Sequence, residues 1–189
     1  MITFSIIVGL IIAIALYIIS LYNKLVDKRA RAEEAWSGIE VQLKRRHNLI
    51  PNLVETVKGY AQHEQETLEN VINARNSAVQ IGTGSPEAAA QAESQLTGAL
   101  RQLFALAEAY PDLKANTNFL DLQEQLQELE DHIQMARRFY NGSARDLNIL
   151  VDSFPSNLVA QKFNFEKRSY FELDPAEAEA VRQVPNVSF

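Results

Sequence analysis

The sequence predicts an all-α protein: an N-terminal transmembrane helix that continues into an antiparallel four-helix bundle, followed by an irregular aromatic C-terminal tail. Three observations carry this prediction. Residues 2–22 are apolar and carry no charge. Beyond them, apolar side chains recur at spacings of three and four, the repeat of one helix face. No stretch alternates apolar and polar residues as a half-buried strand would. The corresponding parts are an anchor (1–23), a helical bundle domain (24–155) and a tail (156–189).

Composition narrows the function. A 47% hydrophobic share over 189 residues excludes a disordered chain. With no cysteine, disulfides, zinc ribbons, thiol catalysis and cysteine lipidation are excluded. The net charge of −6 argues against nucleic acid as a partner. That charge is unevenly placed. Residues 1–23 are uncharged, 24–58 are basic by three, and the remainder carries −9.

Ile2–Tyr22, as a helix, spans roughly 31 Å, the thickness of a bilayer's hydrocarbon layer. A cleaved signal peptide would need a basic start and a small-x-small cleavage site. No Lys or Arg precedes the apolar run, and bulky Ile18, Leu21 and Tyr22 occupy the cleavage region. An uncleaved anchor is therefore expected, with Tyr22 at the interface. Lys24, Lys28, Arg29 and Arg31 follow within ten residues, so the positive-inside rule places the N-terminus outside and the body in the cytoplasm, at the inner membrane. The lack of cysteine is compatible with that compartment.

The first helix continues out of the membrane, because neither Pro nor Gly interrupts Leu10–Ser37 and good helix formers fill 30–35. Its apolar stripe is Ala32, Trp36, Ile39 and Leu43. Asn48 as an N-cap, with Pro51 in the first turn, predicts a tight reversal at about 47–49 in preference to a kink. The second helix then carries Leu53, Val57, Ala61, Leu68, Val71 and Ala78, and stops at Gly82. The Gly82-Thr83-Gly84 run lacks the following Lys and preceding strand of a phosphate loop, so it reads as a helix end and linker.

Ser85-Pro86 starts a third helix, with Ala89, Ala92, Leu96, Ala99, Leu103, Leu106 and Tyr110 on one face, and Pro111 ends it. Asn118 and Asp121 start a fourth, with Phe119, Leu122, Leu126, Leu129, Ile133, Ala136, Tyr140, Leu147, Val151 and Phe154. Gly142 is a candidate break. The tail brings Phe163, Phe165, Tyr170 and Phe171, with one or two short helices expected. Alternation of the helices puts the Gly82 linker and the Phe154 end beside the membrane, and the Pro51 and Pro111 turns at the far tip.

The segments YNKLVDKRARAEEAW, QLKRRHNLIPNLVETVKGYAQHE, AYPDLKANTNFLDLQEQL, ARRFYN and FPSNLVAQKFNFEKRSYFE, in this order, resemble the LemA family of bacterial membrane proteins. The resemblance covers nearly all of 22–189. It implies a short outside N-terminus, one anchor and a helical cytoplasmic domain. It implies no agreed biochemical activity; some members are implicated in magnetosome formation, and others are encoded near a membrane metalloprotease. This sequence departs from the family at Leu147-Asn148, where a second Tyr-Asn pair is expected.

Catalytic chemistry finds no pattern. A bundle di-iron site needs Glu-x-x-His, yet Lys44, Tyr60 and Leu129 stand three before the histidines 47, 63 and 132. His63-Glu64 opens a zincin motif, but Thr67 holds the second ligand's place. There is no Gly-x-Ser-x-Gly, and the carboxylates Glu124, Glu128, Glu130 and Asp131 read as a solvated face. Neither cofactor nor metal is expected. Arg45-Arg46 and Arg137-Arg138 suit an anionic partner, or else helix-end compensation for the first pair and salt bridges for the second, which the sequence favours. Tyr140 and Asn141 are candidates for capping or hydrogen bonding between helices. Tyr22, Lys24, Lys28, Arg29, Arg31, Lys162, Lys167 and Arg168 are the candidate membrane-interface residues. The aromatic rings among the last three either join that interface or close the bundle's core. The expected partners are membrane lipids, a second copy of the chain and a membrane protein. The expected role is a non-catalytic anchored scaffold; the alternative is an accessory or regulatory subunit of a membrane enzyme such as a membrane metalloprotease.

Overall fold

The computed structural model describes residues 2–82 and 84–172. Their secondary structure is entirely helical: α1 (Ile2–Lys58), α2 (Gln65–Ile81), α3 (Pro86–Ala107), α4 (Pro111–Lys114), α5 (Thr117–Asp152) and α6 (Ser156–Lys162). The chain divides into two compact units. One comprises residues 2–38 with 138–169, the other 39–82 and 84–137 with 170–172. The long helices α1 and α5 contribute to both.

The first unit begins with the apolar part of α1, whose side chains from Ile2 to Ser20 are all exposed. This stretch is long and apolar enough to cross a membrane. Burial starts at Leu21. Leu21 and Leu25 of α1, Leu147 of α5, and Val159, Ala160 and Phe165 form one core. The end of α6 explains how Phe165 reaches it. Asn164 has a left-handed backbone (φ 55°), which asparagine tolerates. The Phe165 amide then donates back to the Ala160 carbonyl at 2.9 Å, the closing bond of a Schellman motif. Phe154, expected on the core stripe of the last helix, is instead 80% exposed. Helix α5 ends at Asp152, so Phe154 has left the periodicity that would have buried it. Gly142 does not break α5.

The second unit is built from residues 39–58 of α1, then α2, α3, α4 and the start of α5. Its core joins Leu53, Val57, Ala61, Leu68, Val71, Leu96, Leu103, Leu113, Phe119 and Leu126. Apolar periodicity therefore located the core faces correctly, while several boundaries moved. The reversal expected at 47–49 does not occur: α1 continues through Pro51 to Lys58, and the chain turns at 59–64. Proline removes the helical donor to the carbonyl four residues earlier, that of His47. Arg75 of α2 replaces it, its Nε donating to the His47 oxygen at 3.2 Å. The same antiparallel pairing brings the Gly82 end of α2 level with about residue 40 of α1.

Other ends follow local chemistry. Gly82 takes φ 58° and caps α2, its amide donating to Ala78. Ser85 precedes Pro86 at the start of α3 as expected, without a side-chain cap bond. Pro111 opens the short α4; α3 has already ended at Ala107. The cap of α5 is Asn116, not Asn118: Asn116 Oδ1 accepts the Phe119 amide at 3.0 Å, an N-cap to N3 bond. The 59–64 and 110–116 turns are tied together. Asn116 Nδ2 donates to Tyr60 Oη at 2.9 Å, and Tyr110 Oη to Glu64 Oε1 at 3.1 Å.

Candidate functional site

Two groups of polar side chains merit separate description, one in each unit. The first surrounds the point where α1 ceases to be apolar. Tyr22, 37% exposed, sets its ring edge-on to Phe163 and Phe165, with centroids 4.9 and 5.7 Å away. Arg29 lies over the Phe165 ring at 5.1 Å, a cation–π contact. Lys28 binds Asp146 at 2.8 Å and Arg31 pairs with Asp27 one turn earlier at 3.1 Å. Lys167 pairs with Asp152 at 3.2 Å, and Arg168 reaches Glu33 at 2.7 Å. Lys24 and Lys162 are exposed and hold no ion pair among the described residues.

Carboxylates thus engage Lys28, Arg31, Lys167 and Arg168, while Lys24, Arg29 and Lys162 have no carboxylate partner among the described residues. The hydrogen bond from Lys28, and then the charge of that ammonium, hold the Asp146 carboxyl below its ordinary value of 3.8. Residues 166–169 are strapped onto the helices by backbone as well as side chain. Asn148 accepts the Arg168 amide at 2.8 Å and donates to the Arg168 carbonyl at 2.9 Å. Tyr140 Oη donates to the Ser169 carbonyl at 2.7 Å, while its ring lies 5.1 Å from that of Trp36. Tyr140 thus bonds to the chain after α6. At the family departure, Leu147 is fully buried and Asn148 does the strapping.

The second group lies inside the other unit. Arg46 and His47 of α1 and Glu93 of α3 are all buried. Arg46 Nη1 stands 3.5 Å from Glu93 Oε2 and 3.2 Å from Glu130 Oε2 of α5. Its Nη2 donates to Thr97 Oγ1 at 2.8 Å. His47 Nε2 lies 2.6 Å from the other Glu93 oxygen. The helix-end reading of Arg45-Arg46 fails, because α1 does not end there. Arg45 is exposed, and Arg46 is the hub of a buried ion cluster that pins three helices together. Buried charges are tolerated only when partnered in this way. Arg138 is exposed, while Arg137 and Asn141 are partly buried.

Sequence does not single out Glu93 or Arg75, names Asn148 only as a departure from the family, and reads Glu130 as part of a solvated face, whereas Glu130 is half-buried and pairs with Arg46. A signal for Glu93 and Arg75 existed. Glu93 falls four after Ala89 and three before Leu96, and Arg75 four after Val71 and three before Ala78, so both interrupt core stripes. An ion on a core stripe needs a partner, and Arg46-His47 supplied it for Glu93.

Similarity to known proteins agrees with this architecture. The model of the LemA family matches residues 35–189. The magnetosome protein MamQ 2 of Paramagnetospirillum magneticum is 27% identical over 179 residues, covering 82% of this chain and 66% of its own length. The magnetosome protein MamQ of Magnetospirillum gryphiswaldense is 26% identical with the same coverage. Protein LemA of Metamycoplasma hominis is 29% identical over 157 residues, covering 82% of this chain and 70% of its own. The chain thus spans just under two thirds of the length of the MamQ proteins it matches.

Proposed function

The chain belongs to the LemA family, and from that premise we propose that it is a single-pass, membrane-anchored scaffold without catalytic activity. Its helical part lies in the cytoplasm at the inner membrane, its N-terminus lies outside, and it associates with further copies of itself. The observation that carries this reading is the continuity of α1. One helix without a break runs from the apolar segment through to Lys58. An anchor built this way fixes the direction in which the first bundle helix leaves the bilayer, whereas a flexible linker would not. The similarity to magnetosome proteins is consistent with a part in an assembly.

Orientation is tested by placing single cysteines at Thr3 and Ser85 of this cysteine-free chain and treating intact cells with an impermeant thiol reagent. Labelling is expected at Thr3 and none at Ser85; the reverse pattern would put the body outside. Crosslinking in cells separates scaffold from accessory subunit. A ladder of self-products supports the scaffold. A single band shared with another membrane protein, such as a metalloprotease, supports the alternative.

A further inference from the structure

We propose that the elbow between α5 and α6 is a second contact with the membrane, made by inserting apolar side chains and not by charge. Phe154, Leu158 and Phe163 enter the headgroup region beside the point where α1 leaves the bilayer. The inference rests on the reading of α1 as an anchor and adds a surface to it.

Exposure raises the question. Phe154 is 80% exposed, Leu158 57% and Phe163 50%. They stand in a stretch whose other apolar side chains, Val159, Ala160 and Phe165, are buried. Such a cluster on one short elbow is unusual where water is the only neighbour.

Depth answers it, by two routes. Helices α1 and α5 run antiparallel, and Lys28 meets Asp146 at 2.8 Å. Each residue forward along α5 is matched by one back along α1. Six residues on, Asp152 comes level with Tyr22, the last residue of the apolar run. Ring contact gives the same level independently, with Phe163 4.9 Å from Tyr22. The elbow is therefore carried to the height at which α1 meets headgroups, where aromatic side chains are favoured. A protein partner on this patch would have to sit at the same depth.

Charge does not carry the contact. Lys167 and Arg168, which sequence would assign to lipid phosphates, are engaged by Asp152 and Glu33. Lys24 and Lys162 stay without an ion pair among the described residues, so anionic lipid adds to the contact, but the apolar side chains should hold the elbow in place without it and at raised salt.

The test uses the full chain in bilayers, with single nitroxide-labelled cysteines replacing Phe154, Leu158 or Phe163. Leu16→Cys serves as the lipid reference. Phe139→Cys serves as the water reference, being 64% exposed and about 20 Å along α5 from Asp152. Collision with oxygen, which concentrates in lipid, is compared with collision with a water-soluble nickel chelate. Labels at 154, 158 and 163 are expected to read between the two references, severalfold more oxygen-accessible relative to nickel than 139. The contact should persist in phosphatidylcholine alone and at raised salt. Values matching 139 while Leu16 reads lipid would overturn the elbow contact and leave the anchor standing. An aqueous reading at Leu16 as well would overturn both. Protection from both reagents, with spectral broadening removed by dilution into unlabelled chain, would overturn it in favour of a second copy. A contact that appears only with phosphatidylglycerol and vanishes with salt would overturn the apolar mechanism.

Discussion

Arg75 donates through Nε to the carbonyl oxygen of His47 at 3.2 Å, and that carbonyl is the one Pro51 leaves without its helical partner. The guanidinium of α2 thus repairs a defect that proline makes in α1, at a residue that is itself buried. This contact lets a helix run on where the sequence predicts a turn.

The repair predicts a coupled pair of substitutions. Arg75→Ala should cost about 1–3 kcal/mol, because a buried acceptor loses its donor. In a Pro51→Ala background the backbone amide returns, and the same change should cost measurably less. Denaturant unfolding of the four chains in detergent gives the coupling, expected at about 0.5 kcal/mol or more. Additive effects would mean that Arg75 contributes packing alone.

The buried ion cluster predicts a large, local sensitivity. Glu93→Ala leaves Arg46 facing only Glu130 and Thr97, and leaves His47 without its carboxylate. Breaking a buried pair from one side costs about 3–5 kcal/mol. Glu55→Ala removes an exposed one-turn pair with Lys58, and should cost under about 1 kcal/mol. Thermal unfolding of the two variants side by side checks the contrast; similar small losses would show that water reaches the cluster.

What sequence made legible follows from which forces act locally. The repeat of Leu53, Val57, Leu68, Val71, Leu96 and Leu103 marks buried faces, because burial at helical spacing needs no knowledge of the partner. Helix ends were less legible, because they depended on distant groups. The failed reversal at 47–49 turned on Arg75, twenty-eight residues away. Arg46 looked like a terminal cation because Glu93 and Glu130 are remote in sequence. The collar cations were read as lipid-facing from their density, while the carboxylates that pair with Lys28, Lys167 and Arg168 come from other segments.

The Lys28–Asp146 pair carries a pH dependence whose direction is fixed. The folded Asp146 carboxyl titrates below 3.8, so its contribution is fully present above that value and is lost as pH falls through the lowered one. The side chains are 30% and 42% exposed, which keeps the contribution under about 1 kcal/mol. Asp146→Asn should therefore lower stability slightly at neutral pH. The difference from the parent chain should close once pH drops beneath the folded titration. A gap that persists in strong acid would point to packing in place of charge.

The strap over 166–169 predicts a separable opening. Asn148 holds the Arg168 amide and carbonyl at once, in the manner of a backbone partner. Tyr140 holds the next carbonyl, that of Ser169. The Phe165 amide, three residues earlier, depends instead on Ala160 and on the left-handed Asn164. Asn148→Ala removes both Arg168 bonds without touching the Schellman closure, at a cost of about 1–3 kcal/mol for two modest hydrogen bonds. Tyr140→Phe removes one bond and leaves the ring against Trp36, so it should cost about 1 kcal/mol; Tyr140→Ala also opens a cavity and should cost about 3–5 kcal/mol. Amide hydrogen exchange separates the local event from a general loss of stability. In Asn148→Ala the Arg168 amide should lose its protection while the Phe165 amide keeps its own. If both amides lose protection together and equally, the strap and the cap of α6 open as one unit, and Asn148 does not act as an independent latch.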